Sequence, residues 1–71
     1  MTPTTVARLF AACSTVSRAL RASDRLRARG EAALADALWC HAMVLRAAGY
    51  PEAQSMYRRQ RDQALAELET M

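Results

Sequence analysis

The sequence contains no lysine, a single histidine, two cysteines, two glycines, two prolines and four aromatic residues of the Phe, Tyr and Trp type among 71. Each shortage excludes something. Two cysteines, Cys13 and Cys40, with no CxxC pair, fall short of the four or more that a disulfide-built secreted scaffold uses. Cys13, Cys40 and His41 are too few for a closed zinc site. Cys40 and His41, adjacent on a helix, point about 100° apart and so form neither a chelating pair nor a nucleophile and base. No metal and no cofactor are expected.

Long hydrophobic runs are missing as well. Nothing approaches the roughly 18 apolar residues of a membrane-spanning helix, and no short apolar segment with a cleavage site follows a basic start. The residues therefore read as those of a cytoplasmic protein with no membrane role. There is no glycine-rich phosphate loop and no Ser/His/Asp arrangement. The acids Asp24, Glu31, Asp36, Glu52, Asp62, Glu67 and Glu69 give no inward-facing pair. Catalysis is not expected.

What is present is alanine and arginine. Sixteen alanines and ten basic residues that are all arginine are what a GC-rich genome writes, which points to a bacterial or phage source. The formal charge of +3 is unevenly spread: residues 1–30 hold six Arg and one Asp, net +5, and residues 31–71 hold four Arg and six acids, net −2. A chain of 7.9 kDa exposes roughly 4,400 Å² when folded against about 11,500 Å² unfolded. Burying the apolar part of that difference stabilises by about 100 kcal/mol, and ordering the chain costs about the same. A monomer this finely balanced is commonly completed by a second chain.

Punctuation is sparse and falls where helix ends belong. Thr2-Pro3 reads as a cap with proline at the first helical position, Gly30-Glu31 as a stop and an acidic restart, and Gly49-Tyr50-Pro51-Glu52 as a second stop and restart. No stretch alternates with period two. The expectation is one all-α domain over residues 1–71, with three helices at about 4–28, 31–48 and 51–69. The last two form a tight antiparallel hairpin.

In the first segment Val6, Leu9, Cys13, Val16 and Leu20 recur at three- and four-residue steps, and Arg18, Arg21, Arg25 and Arg29 line the opposite side. Beyond Leu20 the apolar seam meets Ser23 and Arg27, so that third either projects or bends near Ser23-Asp24. The second segment carries Leu34, Leu38, Leu45 and Ala48 on one stripe, His41 within it, and Trp39 and Met43 on nearly the opposite side. In a three-helix monomer one of those faces is surplus, so either Trp39 closes the intramolecular core or Trp39 and Met43, with Leu38 and Leu45, are the self-association residues of a homodimer. The homodimer is the expectation taken. The third segment places Ala53, Met56, Tyr57, Ala64, Leu65, Leu68 and Met71 along one side and groups Arg58, Arg59 and Arg61.

A second architecture also fits the pattern. The heptad register begun at Val6 continues through Leu20, Arg27, Leu34, His41 and Ala48, which allows one helix over 4–48 in a coiled-coil dimer with the third helix folded back. Three consecutive seam positions, Ser23, Arg27 and Gly30, are poorly suited to a dry interface and favour the break.

Leu38, Ala42 and Leu45 before the turn, then Gly49, Glu52-Ala53 and Tyr57 after it, resemble the small/large alternation of a tetratricopeptide-type repeat over about 35 residues. The turn is one residue short, the closing proline is missing and no second repeat follows, so the likeness is one of packing logic. It implies peptide or protein binding by a helical groove.

The function expected from these residues is a small, homodimeric, non-enzymatic protein-protein interaction module. It binds a larger protein with an acidic surface through Arg18, Arg21, Arg25 and Arg29 and modulates it as inhibitor, anti-activator, adaptor or chaperone. The alternative is a nucleic-acid-binding regulator using the same basic stripe. Against that alternative, Gly49 at the turn of a helix-turn-helix puts Ser55 and Arg58 where apolar residues belong.

Overall fold

The computed structural model describes residues 3–70. They form four α-helices and no strand: α1 Pro3–Ala12, α2 Val16–Ala28, α3 Ala32–Arg46 and α4 Pro51–Thr70. The count differs from the expected three because the first segment is two helices.

The break lies at Cys13-Ser14-Thr15. Thr15 is extended (φ −125°, ψ 157°) and its hydroxyl accepts the Arg18 backbone N–H at 3.2 Å, an N-cap that starts α2. The Cys13 N–H closes α1 by donating to both Leu9 and Phe10 carbonyls, at 3.1 and 3.2 Å. Size gives the same answer: a straight helix over 4–28 would be about 37 Å long, and the longest extent of the molecule is 32 Å. Folding at 13–15 returns Val6, Leu9 and Phe10 to the core.

Of the two expectations for the last third of the first segment, a projection or a bend near Ser23-Asp24, neither is met: α2 runs unbroken through Val16–Ala28 and buries Ser23 and Leu26. Ser23 is only 2% exposed, inside α2, and its hydroxyl donates to the Ala35 carbonyl of α3 at 2.7 Å. A polar residue in the seam is therefore satisfied by the neighbouring backbone, and small side chains make the reach short. The buried face of α2 is Ala19, Ala22, Ser23 and Leu26, an i, i+3, i+4, i+7 set built of small residues.

The single 4–48 helix is excluded by a second break at Gly30, where φ is +82°. Gly30 N–H donates to Arg27 O and Glu31 N–H to Leu26 O, both at 3.0 Å, which is the pair of bonds of a Schellman motif with glycine in the left-handed position. At the next turn α3 ends at Arg46 with Ala47 as its C-cap, Gly49 (φ +92°) reverses the chain, the Tyr50 carbonyl accepts the Gln54 N–H as the α4 cap, and Pro51 and Glu52 occupy the first turn.

Helix α3 packs against both α2 and α4. As the α3 partner goes from Val44 to His41 and Cys40, the α4 partner goes from Gln54 to Arg61 and Gln60. The core is Cys13, Ala19, Ala22, Leu26, Leu34, Ala35, Leu38 and Ala42, flanked by the partly buried Val6, Leu9, Phe10, Val16, Leu20, Met43 and Leu68. It is thin: the largest fully buried side chains are Leu38 and Ser23. The structure exposes 4910 Å², about a tenth more than a compact chain of this mass.

Candidate functional site

The four arginines singled out from the sequence all fall on or at the end of α2. Arg18, Arg21, Arg25 and Arg29 are each exposed, on a flank of the helix about 100° round from Ala19, Ala22, Ser23 and Leu26. Steps of three, four and four residues at about 1.5 Å each make a row roughly 16 Å long. Among the described residues none of the four lies within 4 Å of a carboxylate; the ion pairs are Arg27 with Asp36 at 2.8 Å and Arg61 with Asp62 at 3.2 Å. Arg27, off the row, is drawn across to α3. The row thus holds four guanidinium groups whose planar donor forks have no internal carboxylate, an arrangement suited to an anionic surface.

The residues expected for self-association are split by the structure. Leu38 is completely buried in the core, so it gives no surface to a second chain while the fold is intact. Met43 packs partly against that core and Leu45 is half-buried. Trp39 stays 42% exposed, its indole edge-on to Tyr57 of α4 with ring centroids 6.1 Å apart and planes at 75°. Met56, next to Tyr57, is also exposed. The two-sided apolar pattern of α3 therefore has an internal cause, since α2 and α4 each cover a part of it. What remains outside is an edge at Trp39, with the partly buried Met43 beside it.

His41 sits where three helices meet. Its Nε2 is 3.2 Å from the Cys13 carbonyl, its Nδ1 is 3.4 Å from Arg61 Nη1, and its ring lies 5.1 Å from that of Phe10. One tautomer suits both contacts: a neutral ring that donates from Nε2 to the carbonyl and accepts at Nδ1 from the guanidinium. Burial lowers its pKa below the ordinary histidine value; the bond to Cys13 opposes this and Arg61 adds to it. The Cys40 thiol, 4.0 Å from Gln60 Oε1, is pushed up by burial and then by Asp36, with Arg61 acting against them. Both cysteines are free and buried. Such a thiol is a packing group and a poor nucleophile. Among the described residues no group of three or more His, Cys, Asp or Glu side chains is placed to hold a metal ion.

Sequence reasoning did not find the depression between α1 and α4. Val6, Ala7 and Phe10 form one wall and Arg61, Asp62, Leu65, Leu68 and Glu69 the other, around about 580 Å³. A second depression of about 620 Å³ shares Val6 and Leu68 and runs to Gly30–Leu34. The signal was present in the apolar sides of the first and last segments, but not which of the two would face the other.

No helix among the described residues is long and apolar enough to cross a membrane. No family model, curated protein or solved structure matches the chain.

Proposed function

We propose that this chain is a small non-enzymatic interaction module that binds the acidic surface of a larger protein and modulates it. The observation that carries the reading is the row of four exposed arginines on α2 without a carboxylate partner of their own. A fold that buries one face of α2 through Ala19, Ala22, Ser23 and Leu26 leaves the flank beside it free to present charge over roughly 16 Å. A helix of the partner with acids at three- and four-residue steps has the same rise and meets the row fork to carboxylate.

In this reading the module works in the cytoplasm as a homodimer, with the α3–α4 pair as an antiparallel hairpin and the Trp39–Met43 edge at the dimer contact. The extra surface of the single chain and the exposed indole support that contact. Light scattering is then expected to report two copies, with Trp39→Ala shifting the sample toward one.

Duplex nucleic acid is the second reading, because a straight arginine row also follows phosphates. The experiment that separates the two is binding of a labelled duplex at 50 and 200 mM salt. The proposal predicts weak binding near physiological salt, whereas sub-micromolar affinity with a steep salt slope would transfer the row to nucleic acid.

A further inference from the structure

The arginine row lines neither of the two depressions, and it differs from them in charge. The depression between α1 and α4 has apolar walls from Val6, Ala7, Phe10, Leu65 and Leu68, and a second depression that shares Val6 and Leu68 with it lies at the α2–α3 turn. It is an open trough. Along α4 it extends from Arg61 to Glu69, about 12 Å or a little over two helical turns.

Its rim is acidic. Arg61 is tied to Asp62 at 3.2 Å and to His41, so that cation is already engaged. Glu69 is exposed and makes no described ion pair. Glu31, which lines the second depression, caps α3 through its backbone, and its side chain makes no capping bond. None of Arg18, Arg21, Arg25 and Arg29 lines the trough. An enclosed pocket would suit a small molecule, but an open apolar trough two turns long suits a helix laid along it with anchors at i, i+3, i+4 and i+7. The rim charge sets the flanks of that helix.

We propose that the α1–α4 trough docks an amphipathic helix of another protein that carries basic residues beside its apolar ridge. This is a second surface, opposite in sign to the α2 row, and it does not depend on the function assigned to that row. With both, the chain bridges an acidic surface on one side and a basic helix on the other.

Two labelled model helices of about 14 residues test it by fluorescence anisotropy with the full chain, one pairing a leucine ridge with lysines, the other with glutamates. The chain carries a net charge of +3, so general attraction favours the glutamate peptide. Binding of the lysine peptide in the trough runs against it. The lysine peptide is expected to bind. Ala7→Trp, at an exposed α1 position that lines the trough, should fill it and weaken that binding at least about tenfold with helicity unchanged by circular dichroism. Glu31→Gln with Glu69→Gln should weaken it about fivefold. Arg21→Glu with Arg25→Glu should not weaken it, which keeps this site's failure distinct from failure of the arginine row. No binding of the lysine peptide, or binding that Ala7→Trp leaves untouched, overturns the site. Glutamate-peptide binding that Ala7→Trp abolishes overturns its charge preference.

Discussion

His41 is held at both ring nitrogens, and the two contacts demand one protonation state. Protonated at Nδ1, the ring would turn an N–H and a positive charge toward Arg61, and its burial would oppose the charge further. Its pKa is therefore lower folded than unfolded, and in the window between the two values the unfolded chain binds more protons. Stability is complete above the ordinary histidine value near 6.5 and is lost as pH falls from there through the depressed folded value. Urea midpoints should drop between pH 7.5 and 5.5 in the wild type, while His41→Gln, which keeps a neutral donor and acceptor, should be flat over that interval. An unchanged wild-type midpoint would mean that the contact is not maintained in solution. The position of His41 in the leucine stripe of the second segment was readable from spacing. Its partners were not, because Cys13 lies 28 residues away and comes to it only through the fold at 13–15.

At the scale of elements, the two chain reversals at glycine were legible and the one at Thr15 was not. Gly30 and Gly49 are followed by acid or proline restarts, and both take the left-handed backbone such signals imply. Thr15 has arginine at Arg18 where a capping box has Glu or Gln, so only half of that signature is written. The large-residue seam from Val6 to Leu20 also runs across the break without interruption. Within α2 the fully buried face is Ala19, Ala22, Ser23 and Leu26, of which only Ser23 continues that seam, while Val16 and Leu20 pack partly against the core. A contact made of alanine and serine is nearly silent to a search for large apolar residues, yet it lets a hydroxyl reach a neighbouring carbonyl at 2.7 Å.

The Gly30 turn separates the two architectures quantitatively. No atom lies within 4 Å of a Cβ built there, so a side chain has room and only the φ of +82° opposes it. Gly30→Ala should therefore destabilise by about 1–2 kcal/mol. In a continuous 4–48 helix the same substitution would stabilise by about 1 kcal/mol. A denaturant titration gives the sign.

At the scale of the molecule, the composition separates into faces. Four of the six arginines of the basic half line an exposed flank of α2, and two of the acids from the other half, Glu31 and Glu69, line the depressions. Much of the apolar surface of α3 is used internally. A middle helix touched by two neighbours uses most of its circumference, and Leu38 went entirely to the core. What stays outside is an edge with one large aromatic, and a core so rich in alanine leaves the chain with more surface than its mass requires. Those two features, with the arginine row, are the physical grounds for expecting the chain to act through another protein.

The row is the part of that account most open to direct measurement. The full chain is used to capture partners from a nuclease-treated lysate of its native host, wild type beside Arg21→Glu with Arg25→Glu, with helicity of both checked by circular dichroism. One protein is expected to be retained in near-stoichiometric amount by the wild type and reduced at least about tenfold in the charge-reversed chain. Equal retention of the same protein by both chains would contradict it.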